Sequence, residues 1–457
     1  MAVRRSPARE TIGADRSAAP IDGRNEERIV SHRAIIANLL GLVVLAAGAA
    51  RGENWPQFRG PTGLGCTSET GLPQTWGGKN NEHVLWKSPL VGEGHASPIV
   101  WGDRVFVCTV RWPEGTADRA KVVPEHHLLC YALGDGRLLW DVQVRPGPWL
   151  RSDFRSGPGG GYAAPTPTTD GHLVYCVFGS AVIAAVDFQG RQAWRKEIVP
   201  YSFDVTIGSS PVLYQDTLLM FCPAAERKDS RLVAYAKADG RIKWTVPFSN
   251  MGFGHSTPLL IDVRGREQLL VLASGMGTAA DALQSLDPAN GKRRWWCQGQ
   301  GDASSPAFGD GLVFFDSGRG GPGVAVDPTG EGDVTATHVR WKIEVPEAIN
   351  SPLIVGKRLY RLTSPGVLKC YDIADGRRLY AERLEGLFST WASPIVDGRG
   401  RIFFATGGKS YVIQSGPEFK ILGVSDLGDG NHPSPAVSAG RMILVGSKNV
   451  HCIGLDR

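Results

Sequence analysis

The sequence predicts an all-β, eight-bladed propeller of four-stranded antiparallel blades, and two repeated phrases predict it. The first is Gly-basic-x-x-Trp, read at Gly136-Arg-Leu-Leu-Trp140, Gly190-Arg-Gln-Ala-Trp194, Gly240-Arg-Ile-Lys-Trp244 and Gly291-Lys-Arg-Arg-Trp295. Trp341 continues the series, and Gly376-Arg-Arg-Leu-Tyr380 repeats it with Tyr for Trp. A period of roughly 50 residues marks a supersecondary unit that buries its apolar face only by stacking on its neighbours. The second phrase is Ser or Thr followed by Pro. It occurs at Ser97, Thr166, Ser210, Thr257, Ser305, Ser351, Ser393 and Ser434, and these eight anchors count eight blades.

Most anchors open an inner strand that turns at a phrase such as Trp101-Gly-Asp or Asp397-Gly-Arg-Gly. A second strand follows (Arg104-Val-Phe-Val-Cys-Thr, Arg401-Ile-Phe-Phe-Ala-Thr), then a third (Leu128-Leu-Cys-Tyr-Ala-Leu, Leu368-Lys-Cys-Tyr-Asp-Ile). An Asp-Gly turn or its equivalent leads into the Trp-bearing fourth. Apolar runs bounded by such turns are hairpin signals, and four strands make one blade. At the ends, Val84-Leu-Trp86-Lys reads as a fourth strand without a blade, and Asn449-Val-His-Cys-Ile-Gly-Leu455 as a third strand without a successor. Pairing them closes the ring with an N-terminal strand and removes a free sheet edge. The expected organisation is a leader over 1–50, an extended Pro/Gly-rich segment over 51–81 that lies on the ring, and the propeller over 82–457.

Residues 34–50 are a nearly unbroken apolar run behind Arg28, His32 and Arg33, ending in the small-x-small site Ala47-Gly48-Ala49. This is the pattern of a secretory signal peptide, so an exported, periplasmic or envelope-associated protein is expected; a short membrane anchor is the other reading. The formal charge is +5, of which about +3 lies beyond residue 50, too little and too scattered for a nucleic-acid partner. Eight cysteines in an exported chain invite disulfides. Their recurrence at equivalent strand positions, far apart around a ring, instead marks them as small buried hydrophobes.

The phrase Ala185-Val-Asp187-Phe-Gln-Gly190-Arg-Gln-Ala-Trp194 resembles the tryptophan-docking motif of the pyrroloquinoline-quinone (PQQ)-type propellers. The resemblance covers residues 82–457 and implies structural docking roles for Trp86, Trp140, Trp194, Trp244, Trp295, Trp341 and Tyr380. The opening Trp55-Pro-Gln-Phe-Arg-Gly-Pro-Thr-Gly-Leu-Gly65 is similar to that of exported, planctomycete-type PQQ-like repeat proteins. That superfamily contains quinoprotein dehydrogenases, with PQQ and calcium on the axis, and cofactor-free scaffolds of the BamB type. No adjacent Cys-Cys pair of the kind found in the alcohol-dehydrogenase arm occurs here, and no catalytic or calcium-ligand motif carries over. A packing motif says nothing of catalysis.

Two places before the anchors stand His95, Ala164, Gly208, His255, Ala303, Ile349, Trp391 and His432. In a propeller these form a ring at one mouth of the channel. Three imidazoles and an indole among small or apolar residues point to a polar, ligand-binding funnel; the bland reading has each His satisfying neighbouring backbone. The long insertion over 145–162 opens onto the same face and carries Trp149, Arg151, Arg155 and Tyr162, the composition of a binding loop. Gly407-Gly-Lys409-Ser410 lacks the first glycine and the following helix of a phosphate loop, and no Gly-x-Ser-x-Gly or His-Glu-x-x-His occurs. The expectation is therefore a monomeric, non-catalytic, BamB-like binding scaffold without a resident cofactor. Its partner would be a protein or a small molecule, with peripheral outer-membrane association open. The competing readings are a PQQ- and calcium-dependent alcohol or sugar dehydrogenase, and a carbohydrate- or polymer-binding propeller.

Overall fold

A computed structural model describes residues 52–150, 161–198, 207–224, 227–248, 254–273, 280–387, 391–430 and 432–455; the leader lies outside them. Among the described residues eight sheets share one antiparallel four-strand order, and the sheet of blade four carries a fifth strand. Blade one comprises Ile99–Trp101, Arg104–Arg111, Glu125–Ala132 and Leu138–Val144, from the axis outward. Blades two to seven repeat that order, their inner strands beginning at Thr168, Val212, Leu259, Ala307, Leu353 and Ile395. Blade eight holds Ala436–Ser438, Arg441–Val445 and Asn449–Gly454, and takes its outer strand, Val84–Pro89, from the other end of the propeller. Trp86 pairs with Cys452 there and Lys87 with His451.

The middle strands are apolar on both faces because both faces are covered. Leu173–Phe178 and Thr217–Cys222 bury nearly every residue, whereas the outer strand Ile242–Pro247 is exposed or half-buried throughout. A strand buried on two sides reads as a continuous apolar run, and one facing water loses it. The core is accordingly divided into wedges between successive blades. Val174, Cys176 and Phe178 of blade two meet Phe106 and Cys108 of blade one, while Tyr175 and Val177 face Leu218 and Met220 of blade three. All eight cysteines are free thiols.

The repeated glycine and tryptophan meet across these wedges. Gly136, Gly190, Gly240, Gly291 and Gly376 all have φ between 69° and 82°, which glycine adopts without steric cost. Each also lies under the indole of the preceding blade. A Cβ on Gly136 would stand 2.5 Å from Trp86, and one on Gly376 2.7 Å from Trp341. Four indoles then donate to a carbonyl beside that turn: Trp86 to Leu133, Trp140 to Phe188, Trp194 to Lys237 and Trp341 to Ile373, at 2.7–3.1 Å. Trp244 lies against Gly291, but its Nε1 has no hydrogen-bond partner among the described residues. Tyr380 packs against Phe419 instead.

No described glycine of blade five lies under Trp295, which reaches its neighbour through a relay. Its Nε1 donates to Gln268 Oε1 (2.8 Å), and Gln268 Nε2 donates to the Pro328 carbonyl of blade five (3.0 Å). The enlarged turn of blade five returns a short strand, Gly332–Asp333, which adds to the outer edge of blade four in parallel.

The segment from residue 52 to 81 runs across the mouth of the ring where the inner strands end. Trp55 bonds Val100 of blade one in both directions, and the Pro56 carbonyl accepts from Thr169 of blade two. Gly63 approaches Leu259 of blade four, and Arg59 Nη2 donates to the Pro352 carbonyl of blade six (2.7 Å). Residues 65 and 67 bracket Val396 of blade seven, and the Glu69 carboxylate accepts from the backbone of Ala439 and Gly440 in blade eight.

Candidate functional site

The anchors form a closed belt around the axis. Ser97 N–H donates to Thr166 Oγ1, Thr166 to Ser210, Ser210 to Thr257 and Thr257 to Ser305. Ser305 donates to Ser351, Ser351 to Ser393, Ser393 to Ser434, and Ser434 back to Ser97, the eight bonds spanning 2.9–3.3 Å. This explains the residue types. The hydroxyl accepts the neighbouring blade's amide, and the following proline, which has no N–H of its own, leaves no orphan donor at the crowded centre.

Above the belt lies a chamber of about 430 Å³. Its wall contains the belt residues and all eight ring residues, His95, Ala164, Gly208, His255, Ala303, Ile349, Trp391 and His432, together with Gly161 and Arg319. Phe58 lines this chamber and also a small cavity formed with Pro211, Pro258 and Pro306 further along the inner strands. Phe58 therefore stands between the two, as the chamber floor.

Backbone bonds to the next blade set the ring residues in place. The amides of His95 and Ala96 both donate to the Ala163 carbonyl, and those of His255 and Ser256 to that of Asp302. The rings of His95, Trp391 and His432 come together, because they belong to blades one, seven and eight, which closure makes adjacent. Trp391 and His432 stack with centroids 5.1 Å apart, and His95 lies 5.7 Å from His432 and 6.2 Å from Trp391. Trp391 is 40% exposed, a large area for an indole that packs on two imidazoles. Burial pulls the His432 pKa below its usual value, with the nearby His95 adding to the effect. His255 stands apart from that cluster and lies over Gly208, where a Cβ would meet its Nδ1 at 2.3 Å.

The insertion residues divide differently from the sequence expectation. Arg151 and Arg155 lie outside the described residues. Tyr162 is fully buried between blades one and two, edge-on to Trp112, and Trp149 packs on the wedge between blades two and three. Neither ring lines the chamber: Tyr162 is buried and Trp149 half-buried, each against an interblade wedge close to it in the chain. Sequence reasoning missed Arg319, which reaches the chamber wall from blade five with its Nε on Asp302 (3.0 Å). It also missed Phe58. The signal for Phe58 was the aromatic placed inside an otherwise Pro/Gly-rich stretch; Arg319 carried none.

Among the described lining residues there is no carboxylate, and Arg319 is the one permanent charge. Calcium takes six to eight oxygen ligands with carboxylates prominent among them. This donor set does not fit calcium.

The family model described as outer membrane protein assembly factor BamB matches residues 124–327 and 282–416, together well over half the chain. A search of curated proteins finds no significant match. Among solved structures, BamB from Moraxella catarrhalis superposes with a TM-score of 0.52 at 13% identity, covering 77% of this chain and 98% of that one. A europium-containing methanol dehydrogenase gives 0.51 at 13% identity, covering 87% and 89%. The computationally designed Ika8 protein gives 0.52 at 10% identity, covering 82% and 100%. At these identities the superpositions speak for the propeller fold and leave the chemistry open. The family match, the docking glycines and tryptophans and the eight-bladed ring agree: the chain belongs to the PQQ-like propeller family represented by the outer membrane protein assembly factor BamB.

Proposed function

We propose that this protein is a non-catalytic, exported binding scaffold. One face and its loops would engage a protein partner at the cell envelope, and the axial chamber would hold a small ligand. The observation that carries this reading is the chamber wall. Hydroxyls, imidazoles, an indole and one guanidinium line it, with no described carboxylate to hold calcium. The apolar run over 34–50 in the leader supports export. His95, Trp391 and His432 would form the ligand's flat wall, with His255 on the far side.

The competing reading, a PQQ-dependent dehydrogenase, is tested by incubating the purified protein with PQQ, with and without calcium, and following dye-linked alcohol and sugar oxidation. The scaffold reading expects no oxidation under either condition. Calcium-dependent turnover would make the chain an oxidoreductase. Retrieval of an envelope protein by the wild-type chain, lost on mutating the loops of one face, tests the partner.

A further inference from the structure

Two of the eight cysteines face one another across a wedge. Along Arg104–Arg111 of blade one, Val105 and Val107 turn towards blade eight, whereas Phe106 and Cys108 turn towards blade two. Along Leu173–Phe178 of blade two, Tyr175 and Val177 turn towards blade three, whereas Val174, Cys176 and Phe178 turn back towards blade one. Alternation along each strand thus sends both cysteines into one wedge from opposite sides, and their thiols meet in a side-chain hydrogen bond. The Cys176 thiol donates to the Ala184 carbonyl (3.7 Å), which leaves its sulfur free to accept from Cys108. Both cysteines are fully buried, and Ala96, Ala163 and Ala184 share their wedge, small side chains that let the two blades close on the pair. The stretch between Val144 and Thr168 is also the longest link between successive blades. A longer link constrains the two blades it joins less tightly, so a crosslink has most to add at this wedge.

We propose that Cys108 and Cys176 form a disulfide across this wedge as the chain folds under oxidising conditions, tying blade two to blade one. The step is thiol–disulfide exchange with a disulfide donor, a small molecule or a protein. One cysteine thiolate attacks the donor and releases one donor thiol; the second thiolate then displaces the other donor sulfur. An S–S bond forms in the chain, the donor's S–S bond breaks, and the donor leaves as two thiols carrying the electron pair and both protons. The thiolate is the nucleophile, and burial pushes the Cys108 thiol well above its ordinary value, with the Cys176 thiol adding to the shift. The finished wedge also excludes the donor. Exchange therefore belongs to folding, before blades one and two close. That the bridge forms in cells rests on the reading of the chain as exported, since disulfides persist in oxidising compartments; that it forms on refolding in vitro does not.

The experiment refolds the full chain from denaturant in a glutathione redox buffer or in dithiothreitol, then alkylates the thiols in denaturant and maps the peptides by mass spectrometry. Oxidative refolding is expected to leave two fewer alkylatable thiols than the eight of the reduced chain, with one linked peptide pair that joins Cys108 to Cys176. The bridged protein should melt roughly 5 °C higher than the reduced one, a difference that dithiothreitol abolishes. Cys176→Ala should lose the linked peptide and the oxidant-dependent rise together. If that variant fails to fold, the peptide map of the wild type decides by itself. Oxidised glutathione added to the chain already folded in dithiothreitol and then freed of it is expected to leave all eight thiols intact; bridging there overturns the coupling to folding. Eight alkylated thiols after oxidative refolding, or a bridge between other cysteines, overturns the pair. A bridge that forms on refolding but is absent from the chain produced in cells with its leader overturns export and leaves the pair standing.

Discussion

Blades one to six and blades seven and eight solve the same packing problem with different parts of the chain. In the first group the outer strand carries its own aromatic: Trp140, Trp194, Trp244, Trp295, Trp341 or Tyr380, paired with Cys130, Ala185, Ala234, Ser285, Ala325 or Cys370 on the third strand. In blade seven the residue at that register, opposite Val412, is Gly423. The N-terminal segment occupies the space. A Cβ on Gly423 would fall 2.0 Å from the Gln74 carbonyl oxygen, and the next aromatic, Trp76, is buried against the outer part of blades seven and eight. Its amide bonds Ser425 Oγ at 2.9 Å, and Gly77 bridges to Asp426. Blade eight borrows its whole outer strand, with Trp86 in the docking position. What appears in the sequence as decay of the repeat is substitution from a distance: the aromatic and the strand are present, but come from the other end of the propeller.

Removing the borrowed parts breaks the comparison most severely. A chain beginning at residue 90 loses the outer strand of blade eight and the segment that supplies Trp76, and should lose cooperative thermal unfolding, because a strand edge and two wedges are left open. A truncated chain that melts at the full-length temperature refutes the closure. Next come single aromatics. Trp194→Ala and Trp76→Ala should each cost about 3–5 kcal/mol in denaturant unfolding. Equal costs mean that a donated indole does the work of a native one, whereas a Trp76→Ala change below about 1 kcal/mol would mean blade seven is held otherwise. The relay at blade four sharpens the point. Gln268→Ala strands the Trp295 Nε1 and the Pro328 carbonyl and should cost about 1–3 kcal/mol, with the fluorescence of Trp295 as the local readout.

Acid separates the two regions again. Between blades one and two, His126 is fully buried against Phe178 and bonded to Ser180 Oγ, and burial pulls its pKa down to about 3. The unfolded chain takes up that proton first, so stability should fall as pH drops below about 6.5 and level off near the folded value. In blade eight, Asp429 accepts from Ser447, Lys448, Asn449 and His451 and is held at about 2. Its contribution is complete above the ordinary carboxylate range and should be lost only as pH falls towards 2. His126→Gln should therefore flatten the upper part of the acid limb and leave the lower part, as followed by melting temperature against pH. The smallest effect on stability is expected at the mouth. Replacing His95, His255 and His432 together with Ala should keep the melting temperature within a few degrees and abolish ligand retention, since the three line a chamber rather than a wedge. Collapse of folding in that triple variant would assign the histidines to the scaffold.

The sequence alone determined the blade, its repetition and its number. Gly-basic-x-x-Trp and Ser/Thr-Pro recur because the turn, the docking contact and the anchor are needed once in every unit, and local requirements leave a period in the chain. It also placed His95, His255, Trp391 and His432 on one ring, because equivalent repeat positions share a height on the axis. Tertiary structure decided everything that joins residues without a common period. The bond from Ser434 to Ser97 closes the belt across 337 residues, the bond from Trp76 to Ser425 spans 349, and that from Arg59 to Pro352 spans 293. Contacts of that kind are specified by complementary shape and by unsatisfied donors and acceptors at two distant places, each of which looks unremarkable in its own stretch of sequence. The chamber is made by both: periodic positions supply its wall, and a non-repeating phenylalanine supplies its floor.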